Sequence, residues 1–210
     1  ENLPSKAFLF DSKIETLLTQ CGEQPIYPNP NTQKIMDYLR FNKFFSFIID
    51  EKYGGTKLSV KELSSILTKI TSRSPCLGVA VMVPNSLGPG ELLAHYGTEQ
   101  QKNKYLPALS NGKYVPCFGL TGPNNGSDAV GSIDEGVVSM KDGKRVITVN
   151  INKRYITLAP VANLIGVAFR LKDPENLLQD GKEGITVALI EEDHPGLKKE
   201  THHNPMNTGF

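Results

Sequence analysis

The chain has 210 residues, room for one or two ordinary domains, and its 39% hydrophobic and 21% charged residues place it among globular proteins. Its 23 basic and 22 acidic side chains leave a net charge of +1, which gives no electrostatic basis for binding nucleic acid or an anionic membrane surface. No apolar run approaches the length of a bilayer span. Glu1-Asn2-Leu3-Pro4 is not the positive start of a secretory signal, so a cytoplasmic location is expected, with any membrane association left to a longer parent. Cys21, Cys76 and Cys117 are odd in number, far apart and without a CxxC pair, which reads as free thiols in a reducing compartment. The histidines, including the adjacent His202 and His203, show no metal-ligand spacing.

The elements follow in chain order. Helices are predicted over Lys6 to Gln20 and Thr32 to Phe44. Between them Pro25-Ile26-Tyr27-Pro28-Asn29-Pro30-Asn31 reads as an extended linker, because its prolines remove backbone donors. Ser59-Val60-Lys61-Glu62 fits a capping box, and behind it Leu63, Ile66, Leu67 and Ile70 fall on one helical face. Thr98-Glu99-Gln100-Gln101 repeats the capping pattern after Gly97 and predicts a helix to about Ser110, ended by Asn111-Gly112. From about Tyr114 the period changes to that of strands. Arg145 to Ile151, Arg154 to Leu158, Asn163 to Leu171 and Gly184 to Glu191 are the candidates, with a hairpin turn at Lys141-Asp142-Gly143-Lys144. Helices first and strands afterwards predict an α+β chain. Residues 1–112 form an all-helical domain, and residues 113–210 form an incomplete, antiparallel, barrel-like β domain.

Four stretches carry candidate chemistry. Val83-Pro84-Asn85-Ser86-Leu87-Gly88-Pro89-Gly90-Glu91-Leu92-Leu93 interrupts a helical region, as either a plain helix connection or a bend beside a ligand channel. Phe118-Gly119-Leu120-Thr121-Gly122-Pro123-Asn124-Asn125-Gly126-Ser127-Asp128 runs from an apolar strand into small polar residues. It is either a turn or a nest of N–H groups and hydroxyls for an anion. It is neither a P-loop nor a Rossmann fingerprint. In Asn152-Lys153-Arg154-Tyr155-Ile156-Thr157-Leu158, a strand would put Tyr155 and Thr157 on one face, as ordinary sheet residues or as contacts for a planar cofactor. Gly184-Ile185-Thr186-Val187-Ala188-Leu189-Ile190 reads as a buried strand.

In order, these pieces resemble the acyl-CoA dehydrogenase family. Ala94-His95-Tyr96-Gly97-Thr98-Glu99-Gln100-Gln101-Lys102 resembles its "G-T-x-x-Q-K" helix junction and is followed by Tyr105-Leu106-Pro107. Leu120-Thr121-x-Pro123-x-x-Gly126-Ser127-Asp128 resembles "L-T-E-P-x-A-G-S-D", and Tyr155-Ile156-Thr157 resembles "W-I-T". The likeness is greatest to the long bacterial fatty-acid-degradation subfamily and covers roughly Phe44 onward. Gly122 replaces the usual acidic residue, and Asn124-Asn125 replaces the usual small pair.

The resemblance implies a flavoprotein oxidoreductase of lipid degradation. Such an enzyme uses FAD to convert a fatty acyl-CoA to a trans-2-enoyl-CoA in β-oxidation and passes electrons to an electron-transfer flavoprotein or another acceptor. It also implies a homo-oligomeric parent. Thr121 and Thr157 are expected to hydrogen-bond the flavin ring and Tyr155 to pack on it, with Phe118, Leu120 and Ile156 beside it. Gly126 and Ser127 are expected at the FAD pyrophosphate, Ser127 also at the CoA portion of the substrate, and Val83 and Leu87 along the acyl channel. The family's catalytic base belongs to a C-terminal helical domain not found before Phe210, so this chain alone is expected not to turn over acyl-CoA. The alternatives are a related acyl-CoA oxidase on the same fold and a non-catalytic acyl-CoA-binding module.

Overall fold

The structure is a computed structural model that describes residues 6–21, 30–86, 88–131, 134–178, 183–200 and 203. Its first half is helical: α1 (Asp11–Cys21, entered from a 3-10 turn, Lys6–Phe10), α2 (Pro30–Phe41), α3 (Val60–Thr71), α4 (Pro75–Met82), α5 (Pro89–Tyr96) and α6 (Glu99–Ser110). Both capping boxes form. Ser59 Oγ accepts from the Glu62 N–H (3.3 Å) while Glu62 Oε2 accepts from the Ser59 N–H (2.8 Å). Thr98 and Gln101 exchange the same pair of bonds at 3.2 and 2.9 Å. On α3, Ile66 and Ile70 are buried, whereas Leu63 and Leu67 are half-buried at the edge of that face.

Two helix boundaries differ from expectation. Pro30 and Asn31 belong to the first turn of α2 rather than to a linker, since proline has no N–H to lose there; Pro25 to Asn29 lie outside the described residues. Helix α2 stops at Phe41 instead of Phe44. Lys43 adopts a left-handed φ of 63° and Phe44 N–H reaches back to Leu39 O at 2.9 Å, so the chain reverses. The reversal drives Phe44, Phe45 and Phe47 into the core, where none is more than 1% exposed.

The second half is a mixed, open sheet of β1 (Pro116–Gly119), β2 (Glu135–Lys141), β3 (Lys144–Val149), β4 (Leu164–Lys172) and β5 (Gly184–Glu191). The β2–β3 hairpin turns through Asp142 (φ 51°) and Gly143 (φ 72°), both left-handed as a tight two-residue turn requires. The expected all-antiparallel barrel is not what forms, because β1 and β2 both run parallel to β4. A long connection allows this: the chain leaves the sheet after Gly119 and returns at Glu135 in the same direction, whereas β2–β3 and β4–β5 are antiparallel pairs. Strand β5 occupies one edge of β4 from Leu164 to Leu171, so β1 (at 164–167) and β2 (at 170–172) lie end to end along the other edge.

The expected strand Arg154 to Leu158 is absent. Tyr155 and Leu158 have left-handed φ values of 59° and 66°, and the chain then winds through turns in which Val161 and Ala162 N–H groups donate to Leu158 O. Tyr155 and Thr157 therefore do not share a strand face. Leu158, fully buried, forces the turn by entering the core.

One core joins the two halves. Leu77, Ala80 and Val81 of α4 and the Phe10, Phe44, Phe47 group belong to the same cluster as Cys117, Leu158, Ile165 and Val167. Asn85 locks the helical side of it. Its buried amide accepts from Phe47 N–H (2.8 Å) and donates to Phe44 O (2.6 Å) and Val81 O (2.8 Å). Against expectation, the stretch Pro75–Tyr96 has the length and apolarity of a bilayer span (22 residues, mean hydropathy 1.2). Here it is broken into α4, a 3-10 turn (Val83–Asn85) and α5, and 65% of its apolar window is buried inside the protein, the environment of a core segment.

A polar clasp ties α6 to β5. Glu191 accepts from Lys104 Nζ (2.8 Å), Tyr105 OH (3.3 Å) and Tyr114 OH (2.7 Å). The Lys104 hydrogen bond, followed by that of Tyr114, lowers the Glu191 pKa below its ordinary value, and the Glu191 hydrogen bond raises that of Tyr114. A lowered carboxylate stabilises the fold above its unfolded value near 4.5, and that contribution fades as pH falls through the lower folded value. A raised phenol contributes below its ordinary value of 10 and loses that contribution as pH rises through the folded value. Denaturant midpoints of wild type are thus expected to fall on both limbs, and Glu191→Gln to flatten the dependence. The effect should shrink in high salt because the cluster is largely solvent-exposed. Identical pH profiles for the two proteins would dismiss the clasp.

Candidate functional site

The sheet gives the site its frame. Strand β1 ends at Gly119 and the chain departs through Leu120 and Thr121 into a loop that rejoins the sheet at Asp134, whose carbonyl accepts from Arg170 N–H of β4 at 2.7 Å. Within the loop, Gly122 N–H donates to Asn125 O (3.3 Å) and Asn125 Nδ2 donates to Leu120 O (3.1 Å), closing a small turn. A Cβ on Gly122 would stand 2.8 Å from Asn125 Oδ1 and 3.1 Å from Asn152 O, so a side chain here would require both neighbours to shift. Asp128 Oδ1 accepts from Gly131 N–H (3.0 Å) and caps the next turn.

The segment after β3 lies against this loop. Arg154 N–H donates to Thr121 O at 3.1 Å. Lys153 Nζ donates to Leu120 O at 3.0 Å and stands 2.8 Å from Asp134 Oδ2. A cavity of about 310 Å³ opens between them, lined by Pro123, Asn124, Asn125, Asp134, Asn150, Ile151 and Asn152.

The residues singled out in the sequence fall into separate places. Thr121 and Thr157 are half-buried, and Thr121 sits on the backbone joined to Arg154, three residues before Thr157. Leu120 and Ile156 are half-buried beside them, Ile156 packing on the main core, and Phe118 lies over Gly166 of β4. Gly126 and Ser127 are exposed farther along the loop; a Cβ on Gly126 would meet nothing within 4 Å, so its backbone is open to approach. Tyr155 is 62% exposed, with its ring 5.0 Å from that of His203 and 5.9 Å from the Arg154 guanidinium. Among the described residues the hydroxyls of Thr121, Ser127 and Thr157 make no hydrogen bond, which leaves them available to a ligand. Val83 is half-buried against the helical core, and Leu87 lies outside the described residues.

Sequence reasoning missed Lys153 and Asp134. Lys153 lies inside the stretch singled out for Tyr155 and Thr157 and is given no role there, yet its side chain is only 9% exposed. The signal lies in its partners, which are 33 and 19 residues away and invisible to local pattern.

A helical half packed on an open mixed sheet is consistent with the acyl-CoA dehydrogenase fold. An acyl-CoA dehydrogenase from Bacillus anthracis, solved complexed with FAD, superposes with a TM-score of 0.75 at 20% identity over 96% of this chain and 34% of that one, a likeness of fold. In sequence, the N-terminal domain of acyl-CoA dehydrogenases matches residues 9–113 and their middle domain residues 117–209, so the chain belongs to the acyl-CoA dehydrogenase family. An acyl-CoA dehydrogenase of Bacillus subtilis (strain 168) is 34% identical over 155 residues, 72% of this chain and 38% of that protein. A 3-(aryl)acrylate reductase of Clostridium sporogenes is 29% identical over 188 residues, 89% of this chain and 46% of that protein. The chain thus spans less than half the length of these relatives.

Proposed function

We propose that this chain builds one wall of the flavin site in an FAD-dependent dehydrogenase that introduces an α,β double bond into a fatty acyl-CoA. The observation that carries the reading is the joining of two segments with unused hydroxyls, Thr121 and Thr157, through the Arg154–Thr121 hydrogen bond. The residues present suit the cofactor. Thr121 and Thr157 supply donors for the polar edge of a flavin ring, and Tyr155 supplies an exposed aromatic surface. Ser127 and the open backbone at Gly126 supply donors for a pyrophosphate. FAD, when bound, supplies the two-electron acceptor; the protein supplies binding and orientation. Electron transfer to a partner flavoprotein, homo-oligomeric assembly, and a domain division near Gly112 belong to the same proposal, as does an acyl channel passing Val83 and Leu87.

The test is an FAD titration followed by quenching of flavin fluorescence, on wild type, Thr121→Val and Thr157→Val. Each valine keeps the shape and removes one donor, so affinity is expected to fall by about threefold to tenfold, the scale of one hydrogen bond. Reduction of an artificial electron acceptor by the whole protein with a long-chain acyl-CoA tests the substrate class. Unchanged affinity in both variants would remove these threonines from the site, and no acceptor reduction with any acyl-CoA would remove the dehydrogenase reading.

A further inference from the structure

The loop between β1 and β2 is held shut at its base by a buried charge. Lys153 lays its stem along Gly119, with Cγ and Cβ 3.5 and 3.8 Å from where a Cβ on that glycine would stand, and carries its ammonium inward. There it donates to the carbonyl of Leu120, the first residue after β1, at 3.0 Å, and meets the carboxylate of Asp134, the last residue before β2, at 2.8 Å. One side chain from a third segment thus ties the start of the loop to its end. The lysine side chain is 9% exposed and the aspartate side chain 29%, and the two meet as an ion pair: Asp134 Oδ2 accepts no hydrogen bond among the described residues.

We infer that Lys153 is a positioning residue of the ligand site, fixing the loop that bears Thr121 and Ser127 against the segment that bears Thr157. The inference rests on the flavin reading above for its ligand, but not for its geometry. Lysine suits the position because its ammonium is a compact point charge on a long apolar stem, which can cross over Gly119 and still reach two oxygens on different segments. Removing the charge frees Leu120 O to keep only Asn125 Nδ2 and leaves the Asp134 carboxylate without its cation, so both ends of the loop are released together. The strands themselves are held by their own pairing to β4, so the loosening stays local to residues 120–131 and Asp134.

The experiment compares wild type, Lys153→Met, Lys153→Arg and Asp134→Asn. Amide hydrogen exchange without added FAD reads the loop directly, and the FAD titration reads its consequence. Lys153→Met, which keeps the stem and removes the charge, is expected to speed exchange across residues 120–131 while α3 and α6 exchange as in wild type. FAD affinity is expected to fall about tenfold, the order of one lost charge-assisted contact. Lys153→Arg is expected to restore most of both, and Asp134→Asn to reproduce the loop effect in weaker form. Wild-type exchange and FAD affinity in Lys153→Met would overturn the inference. Faster exchange throughout the chain in both Lys153→Met and Asp134→Asn would also overturn it, by making the contact an ordinary part of the core. If wild type takes up no FAD, the flavin reading falls, while the exchange arm still decides the role of Lys153.

Discussion

Asn85→Ala is expected to lower the thermal midpoint by about 10 °C. The substitution deprives Phe47 N–H, Phe44 O and Val81 O of a buried partner at once. Each unsatisfied buried group costs about 1–3 kcal/mol, so a total of about 3–5 kcal/mol is reasonable where no water can enter. For a chain of this length each kcal/mol moves the midpoint by about 2–4 °C. Asn85→Asp is expected to be no better, because the carboxylate keeps the acceptor but loses both donors and brings a charge into a site only 2% exposed. The check is a melt followed by circular dichroism; a shift below about 3 °C would mean that the three backbone groups find other partners.

Phe47→Ala should cost about 3–5 kcal/mol, the range for removing a large ring from a packed core. Phe47 is fully buried, stands edge-on to Phe10 at 4.7 Å between centroids, and lies 5.8 Å from Phe44. Its ring also belongs to the cluster that runs through α4 into the sheet, so the cavity would open between the two halves. Phe41→Ala is the matched control: that ring is 89% exposed, and its loss should change stability by no more than about 0.5 kcal/mol. Urea midpoints of the two variants measure the contrast, and equal midpoints would show that the cluster around Phe47 does not carry the fold.

What could be read from the sequence was local. The capping boxes at Ser59 and Thr98 and the turn at Asp142-Gly143 depend on residues within a few positions of one another, and each formed as expected. Strand β5 coincides with the predicted Gly184 to Glu191 because its apolar run is bounded by polar turns. Alternation does not encode direction, however, so nothing in the pattern foretold that β1 and β2 run parallel to β4. Arg154 to Leu158 has the composition of a strand, yet burial of Leu158 and two left-handed residues win over that preference. Motif order marked Phe118 to Asp128 and Tyr155 to Thr157 as one site. The bonds that join them, through Arg154, Lys153 and Asp134, bridge residues too far apart in sequence for any short pattern to reveal. Asn85 was legible only as part of an interrupted helix, because two of its partners, Phe44 and Phe47, are 41 and 38 residues away.

The edge of β4 shared by β1 and β2 has a gap. β1 pairs as far as Val167 and β2 resumes at Arg170, while Ala168 and Phe169 pair only with β5 on the far side. Both ends of the loop are therefore moored to the same strand, three positions apart, and β5 holds the register of that strand independently. In a sheet, a slip of one residue turns every side chain to the opposite face. Here β1 and β2 are each registered to β4 by their own pairing, so a residue gained or lost within the loop is expected to change the loop and not the ladder. The fold thus separates the part that must keep count from the part that can vary in length without unpicking the sheet that carries it.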